Sequence, residues 1–136
     1  MKKKIRATVV CTRDEHVLLV SKDGTRWALP GGRPARGEAP LDTAFRELRE
    51  ETSLKAKDVA FLFQFIGATT VHHVFWVKIG KAAQPKPSNE IAHCDWFKSE
   101  ELLSLVASQT TKLIVQNMFM TAQKSWLKKP TPKALA

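Results

Sequence analysis

Long apolar runs are missing from this chain: none approaches the ~20 residues that a helix needs to cross a bilayer, which argues against a helical membrane protein. Cysteine is scarce. Cys11 and Cys94 are too few for a disulfide framework and match no metal-ligand spacing, so they read as two thiols in a reducing compartment. The basic opening Met1–Arg6 is followed by Thr12, Arg13, Asp14 and Glu15 rather than an apolar core, so no secretory signal is read and the expected setting is the cytoplasm. Internal repeats and low-complexity tracts are also lacking. Acidic residues are outnumbered, 13 against 22 Lys and Arg, giving a net charge of +9. The excess does not gather into an arm or a stripe interleaved with aromatics, since Lys2–Lys4 lie at one end and Lys124, Lys128, Lys129 and Lys133 at the other. Nucleic acid is therefore not the expected partner, whereas a positive field suits a polyanionic small molecule.

What is present indicates one globular domain. The 136 residues, 43% of them hydrophobic, suffice for a proper core. The domain is placed at 1–127, with 128–136, carrying Pro130 and Pro132, as a frayed tail. Ile5–Cys11 and Val17–Val20 read as strands around a polar turn, and Lys22–Thr25 as a second turn. Trp27–Leu29 runs into Pro30-Gly31-Gly32, where paired glycines let the backbone approach a ligand closely. Arg33–Glu38 is a loop, and Pro40 suits the first turn of a helix whose Leu41, Ala44, Phe45 and Leu48 make an apolar stripe. Val59–Ile66 and Val71–Ile79 read as strands, Gly80–Asn89 as a loop and Ile91–Phe97 as a short strand. A helix is expected over Ser99–Val106 with Ser99 as its cap, and another over Thr111–Gln123. Strands with helices packed on them make an α/β sandwich.

One helix carries the chemistry. Glu47, Glu50 and Glu51 fall at i, i+3 and i+4, crowding three carboxylates onto one side, about a third of a turn from the apolar stripe. Like charges that close repel, and a bound divalent cation supplies a reason for them, because carboxylate oxygens suit hard ions such as Mg²⁺. Such an ion neutralises phosphate charge and lowers the pKa of a bound water, which is what opening a pyrophosphate link requires.

The string from Gly32 to Leu54, GRPARGEAPLDTAFRELREETSL, resembles the Nudix box: Gly, five residues, Glu, seven residues, then Arg-Glu-aliphatic-any-Glu-Glu-any-Gly-aliphatic. Gly32, Glu38, Arg46, Glu47, Leu48, Glu50, Glu51 and Leu54 are in register. The final Gly is replaced by Ser53, at a helix exit where a left-handed conformation costs a non-Gly residue about 1–2 kcal/mol. The resemblance to the Nudix (MutT-like) hydrolases implies an α/β/α sandwich with a mixed sheet between helices, and a Mg²⁺-dependent (or Mn²⁺-dependent) pyrophosphohydrolase. It implies Glu47, Glu50, Glu51 and the Gly31 carbonyl as metal ligands, Arg46 orienting a glutamate, and Glu38 supporting from behind. The substrate class implied is a nucleoside diphosphate linked to another group, with MutT-like cleavage of nucleoside triphosphates as the default. The alternatives are inositol pyrophosphates, or a fold-retaining nucleotide-binding module without turnover. A monomer or homodimer is expected.

The general base stays open among Glu47, Glu90 and Asp95, the latter two flanking the segment that resembles the family's strand after the long loop. Trp27 is a candidate for stacking on a base, and Arg33, Arg36 and Lys22 for distal phosphates, each weighed against an ordinary core or surface role. Phe63, Phe65 and Trp76 are stacking candidates too, although aromatics in strands are more often core. His72 and His73, as strand neighbours, point to opposite faces and cannot chelate together.

Overall fold

The computed structural model describes residues 2–128. Eight strands and two α-helices occur among them: β1 (Lys4–Arg13), β2 (His16–Ser21), β3 (Arg26–Ala28), β4 (Gly31–Gly32), α1 (Pro40–Thr52), β5 (Val59–Ile66), β6 (Thr70–Lys78), β7 (His93–Lys98), β8 (Val106–Ala107) and α2 (Gln109–Lys128). The sheet runs β5-β6-β1-β2-β3-β8, with β4 added to β1 and β7 to β2. It is mixed: β1 and β6 are parallel over nine residue pairs, while β1–β2, β2–β7 and β5–β6 are antiparallel.

Strand alternation sorts the core into two halves. Ala7, Val9, Cys11 and Leu18 pack with Ala44 and Leu48 of α1, and Val10, Val17 and Leu19 pack with Ile114, Val115 and Met118 of α2. The sheet is therefore enclosed between helices, as the resemblance implied. On α1 the buried residues are Thr43, Ala44, Leu48 and Thr52, so the core stripe lies slightly around the helix from the expected one, and Leu41 is exposed. Phe63 and Phe65 pack against the α2-side core, and the Trp76 indole donates to Thr12 Oγ1 at 2.8 Å.

Where β1 leaves its hairpin partner, the sheet opens. β1 meets β2 only at Thr12 and Arg13, then pairs with β4 at Ala7 and Thr8, while Val9 N–H donates to the Pro30 carbonyl at 2.9 Å. The Gly31–Gly32 ribbon thus fills a gap between β1 and β2, directly above α1. Two expectations change at the C-terminal side. Ser99–Val106 is not an α-helix: Ser99–Ser104 forms a 3₁₀ turn capped from Lys98, whose N–H donates to the Glu101 side chain at 2.7 Å, and Val106–Ala107 is extended beside β3. Only Leu102 of that run is buried while Leu103 stays exposed, too little apolar face to hold a longer helix. The strand expected over Ile91–Phe97 is set two residues later, because Ile91 turns into the interior from a loop. α2 starts earlier than expected, Ser108 Oγ accepting from Thr111 N–H at 3.0 Å as the N-cap. It reaches Lys128, the first residue of the expected tail, and 129–136 lie outside the described residues.

Candidate active site

Arg46 organises the acids of α1. Its Nε and Nη2 grip Glu38 in a fork at 2.8 and 2.9 Å, and its Nη1 reaches Glu47 at 3.3 Å and Glu50 at 3.1 Å. Glu38 also accepts from Ala35 N–H at 2.9 Å and from the Thr43 hydroxyl at 2.8 Å, which fixes the loop ahead of α1 to the helix. These donors, Arg46 first, hold the Glu38 carboxyl down to about 2, and the same fork raises Arg46.

The glycine ribbon lies over the other acids. Gly31 N–H donates to Glu51 Oε1 at 3.3 Å. A Cβ at Gly32 would stand 2.1 Å from Glu47 Oε2, and one at Gly31 2.2 Å from the Ala7 carbonyl oxygen, so both positions need glycine for close approach. Burial, and then the charge of Glu47, push the Glu51 carboxyl up to about 7 against the pull of Gly31 N–H. Glu47 and Glu51 converge in this way, whereas Glu50 faces Arg46. Among the described residues no three His, Cys, Asp or Glu side chains form a ready-made metal cage. The donor set still fits a hard cation: Glu47 and Glu51 both line one cleft beside Gly31–Gly32, and every donor is oxygen.

A cleft of about 730 Å³ opens over this floor, a size suited to a nucleotide-like ligand. Glu47, Glu51, Gly31, Arg46, Lys22, Trp27, Arg33 and Glu90 line it. The other candidates do not. Arg36 is exposed outside the cleft, and Asp95 stands opposite Leu19, on the sheet face that packs toward α2, accepting from its neighbour's Trp96 N–H at 2.8 Å. Glu90 is mostly exposed and pairs with Lys22 at 3.3 Å. Trp27 packs edge-on to Phe97 with ring centroids 5.0 Å apart. A larger hollow of about 1450 Å³ is lined by neither the box acids nor Gly31 and Gly32, so size alone does not locate the chemistry.

Sequence reasoning missed Arg6, which lines the cleft from β1. Its signal was a charge inside an otherwise apolar, β-branched run. His72 joins Thr8, its Nδ1 2.8 Å from the hydroxyl, and burial lowers its pKa. Both cysteines are free, and burial pushes their thiols up to about 12 and about 11, so neither is a thiolate nucleophile.

The NUDIX domain family model matches residues 2–117. A protein assigned to the nudix hydrolase family from Chromobacterium violaceum superposes with a TM-score of 0.79 at 28% identity, over 98% of this chain and 86% of that one. The NUDIX domain of Shewanella oneidensis NrtR, solved in complex with ADP ribose, has a TM-score of 0.76 at 16% identity over 90% of each chain, a likeness of fold. An RNA pyrophosphohydrolase from Aeromonas hydrophila is 40% identical over 55 residues, 40% of this chain and 31% of its own. The matches to curated relatives span only 15%, 31% and 28% of those proteins' lengths. No helix among the described residues is long and apolar enough to cross a membrane. With its box in register and its sheet enclosed between helices, the chain belongs to the Nudix hydrolase family.

Proposed function

We propose that this protein is a Mg²⁺-dependent pyrophosphohydrolase acting on a nucleoside diphosphate linked to another group, with water attacking phosphorus and nucleoside triphosphates as the default substrates. One observation carries the reading: Glu47 and Glu51 converge beneath Gly31–Gly32 on the floor of a cleft rimmed by Lys22, Trp27 and Arg33. The names of the relatives support the substrate class, one an RNA pyrophosphohydrolase and one a domain solved with ADP ribose.

Glu47, Glu51, the Gly31 carbonyl and, on leaving Arg46, Glu50 would hold the ion, Mg²⁺ or Mn²⁺. When bound, it neutralises phosphate charge and acidifies a water. Arg46 reaches Glu47 and Glu50 through one nitrogen while its fork stays on Glu38, so Glu47 is oriented before substrate arrives and Glu50 would exchange Arg46 for the ion. Of the acids considered for taking the water's proton, Glu47 and Glu90 line the cleft and Asp95 does not, which supports one of the first two in that role. In this reading Trp27 meets the base and Arg33 the distal phosphates, a role supported by their lining the cleft, which Arg36 does not.

The test is a substrate panel of nucleoside triphosphates, dinucleoside polyphosphates, ADP ribose, 5′-triphosphate RNA and inositol pyrophosphates, with and without Mg²⁺. The expected outcome is Mg²⁺-dependent release of phosphate, pyrophosphate or nucleoside monophosphate from at least one nucleotide. Nucleotide binding without release across the panel would instead establish a binding module.

A further inference from the structure

We infer that Arg6 is a substrate-binding residue whose guanidinium takes non-bridging oxygens of the substrate's diphosphate on the cleft floor. The inference deepens the pyrophosphohydrolase reading and rests on it. Arg6 precedes Ala7, Thr8, Val9 and Val10, all buried, and is itself half-buried. A guanidinium presents five N–H donors in a fixed fork. Here one is used, Nη2 donating to the Leu29 carbonyl at 3.2 Å. Among the described residues Arg6 takes part in no ion pair.

No charge among the described residues offers Arg6 a close partner. Its neighbour across β6 is His72, whose Nδ1 is already engaged with Thr8 and whose pKa is lowered by burial and by Arg6 itself. Glu47 and Glu51 share the cleft with Arg6 and act on it through space, but Glu47 is held by Arg46, and Glu51 by Gly31 N–H. A half-buried cation with most of its donors unused is costly unless an anion completes it. A diphosphate does so, because its paired oxygens match the guanidinium fork. The other cleft cations serve less well for this inner position: Lys22 pairs with Glu90 at the exposed rim, Arg26 and Arg33 are exposed, and Arg46 is engaged with Glu38, Glu47 and Glu50.

The experiment is calorimetric titration of the full chain, with Mg²⁺ present, by two non-hydrolysable probes, methylenediphosphonate and α,β-methylene-ADP. Arg6→Gln is expected to raise Kd at least tenfold for both probes, and Arg6→Lys by less, because charge returns without the fork. In the wild type, the Arg6 Nε–H resonance should shift on adding methylenediphosphonate, a readout that stands even if Arg6→Gln fails to fold. An unshifted resonance, or a folded Arg6→Gln that binds methylenediphosphonate as the wild type does, overturns the inference. So does a loss confined to the ADP analogue, which would move the contact to the nucleoside. If the wild type turns over the nucleotide panel while Arg6→Gln binds normally, this inference alone fails; if the wild type neither binds nor hydrolyses any nucleotide, the reading beneath it fails too.

Discussion

Glu51 and Glu38 lie thirteen residues apart in the same box, and their surroundings drive them in opposite directions. Burial raises Glu51 to about 7, so between pH 7 and its ordinary 4.5 the folded protein holds a proton that the unfolded chain has lost. Without metal, stability should therefore rise as pH falls through that window, by on the order of 2 kcal/mol. Arg46 and its companions hold Glu38 at about 2, so its contribution is present above the ordinary carboxylate range and is lost as pH falls from 4.5 to about 2. Denaturant midpoints measured in chelator should peak near pH 4.5–5, between the two windows. Glu51→Gln should flatten the neutral side of that curve, and a wild-type curve already flat between pH 7 and 5 would show that Glu51 is not buried as described. At this scale the sequence was legible where residues follow a spacing rule: Gly32, Glu38, Arg46 and the three glutamates occupy one neighbourhood. Arg6 was not legible, because only the parting of β1 from β2 brings that strand to the acids. The departure of Asp95 likewise depended on strand parity, which a two-residue shift in boundary leaves unsettled from sequence alone.

Helix α1 shows what an element can and cannot announce. Its Pro40 start and its acidic side followed from local chemistry, and Ser53 does end it in the left-handed conformation, φ 64°, with its N–H on the Arg49 carbonyl at 2.9 Å. The hydroxyl of Ser53 also donates to the Lys86 carbonyl at 3.1 Å, a contact 33 residues away that no local pattern reveals. Backbone strain and this hydrogen bond pull in opposite senses in Ser53→Gly. Ser53→Ala loses the bond and keeps the strain. The glycine variant should exceed the alanine variant in stability by about 1 kcal/mol in chemical denaturation, with activity little changed in both. Equal midpoints would mean that the chain relaxes out of the left-handed exit. The 3₁₀ turn at Ser99–Ser104 failed as an expected helix for a related reason: a good cap and an acidic first turn start a helix, but burial of Leu102 alone does not extend it.

Across the whole molecule, the fold serves to hold a repelling cluster in place. β4 crosses the gap in the sheet, α1 supports it, and the acids sit beneath a cleft on a chain of net charge +9, which draws anions toward them. A divalent ion that binds only the folded form should raise stability by about 1.4 kcal/mol at tenfold excess over its Kd, roughly 3–6 °C in Tm. Melting the free protein in millimolar Mg²⁺ or Mn²⁺ and again in chelator checks this, and identical midpoints would count against a metal at the cluster. The alternating burial that sorts β1 and β2 between two helices was readable in outline from their apolar runs. The order of the strands was not, since pairing β1 with β6 joins segments more than sixty residues apart. The most direct trial of the account is steady-state turnover of the best panel substrate by Glu50→Gln and Glu51→Gln beside the wild type in Mg²⁺, with melting curves to establish that each is folded. Amides are weaker ligands and leave the cation's charge unneutralised, so both folded variants should fall by about a thousandfold or more in kcat; a folded variant that keeps a near-normal rate would contradict the assignment of these glutamates to the metal and to catalysis.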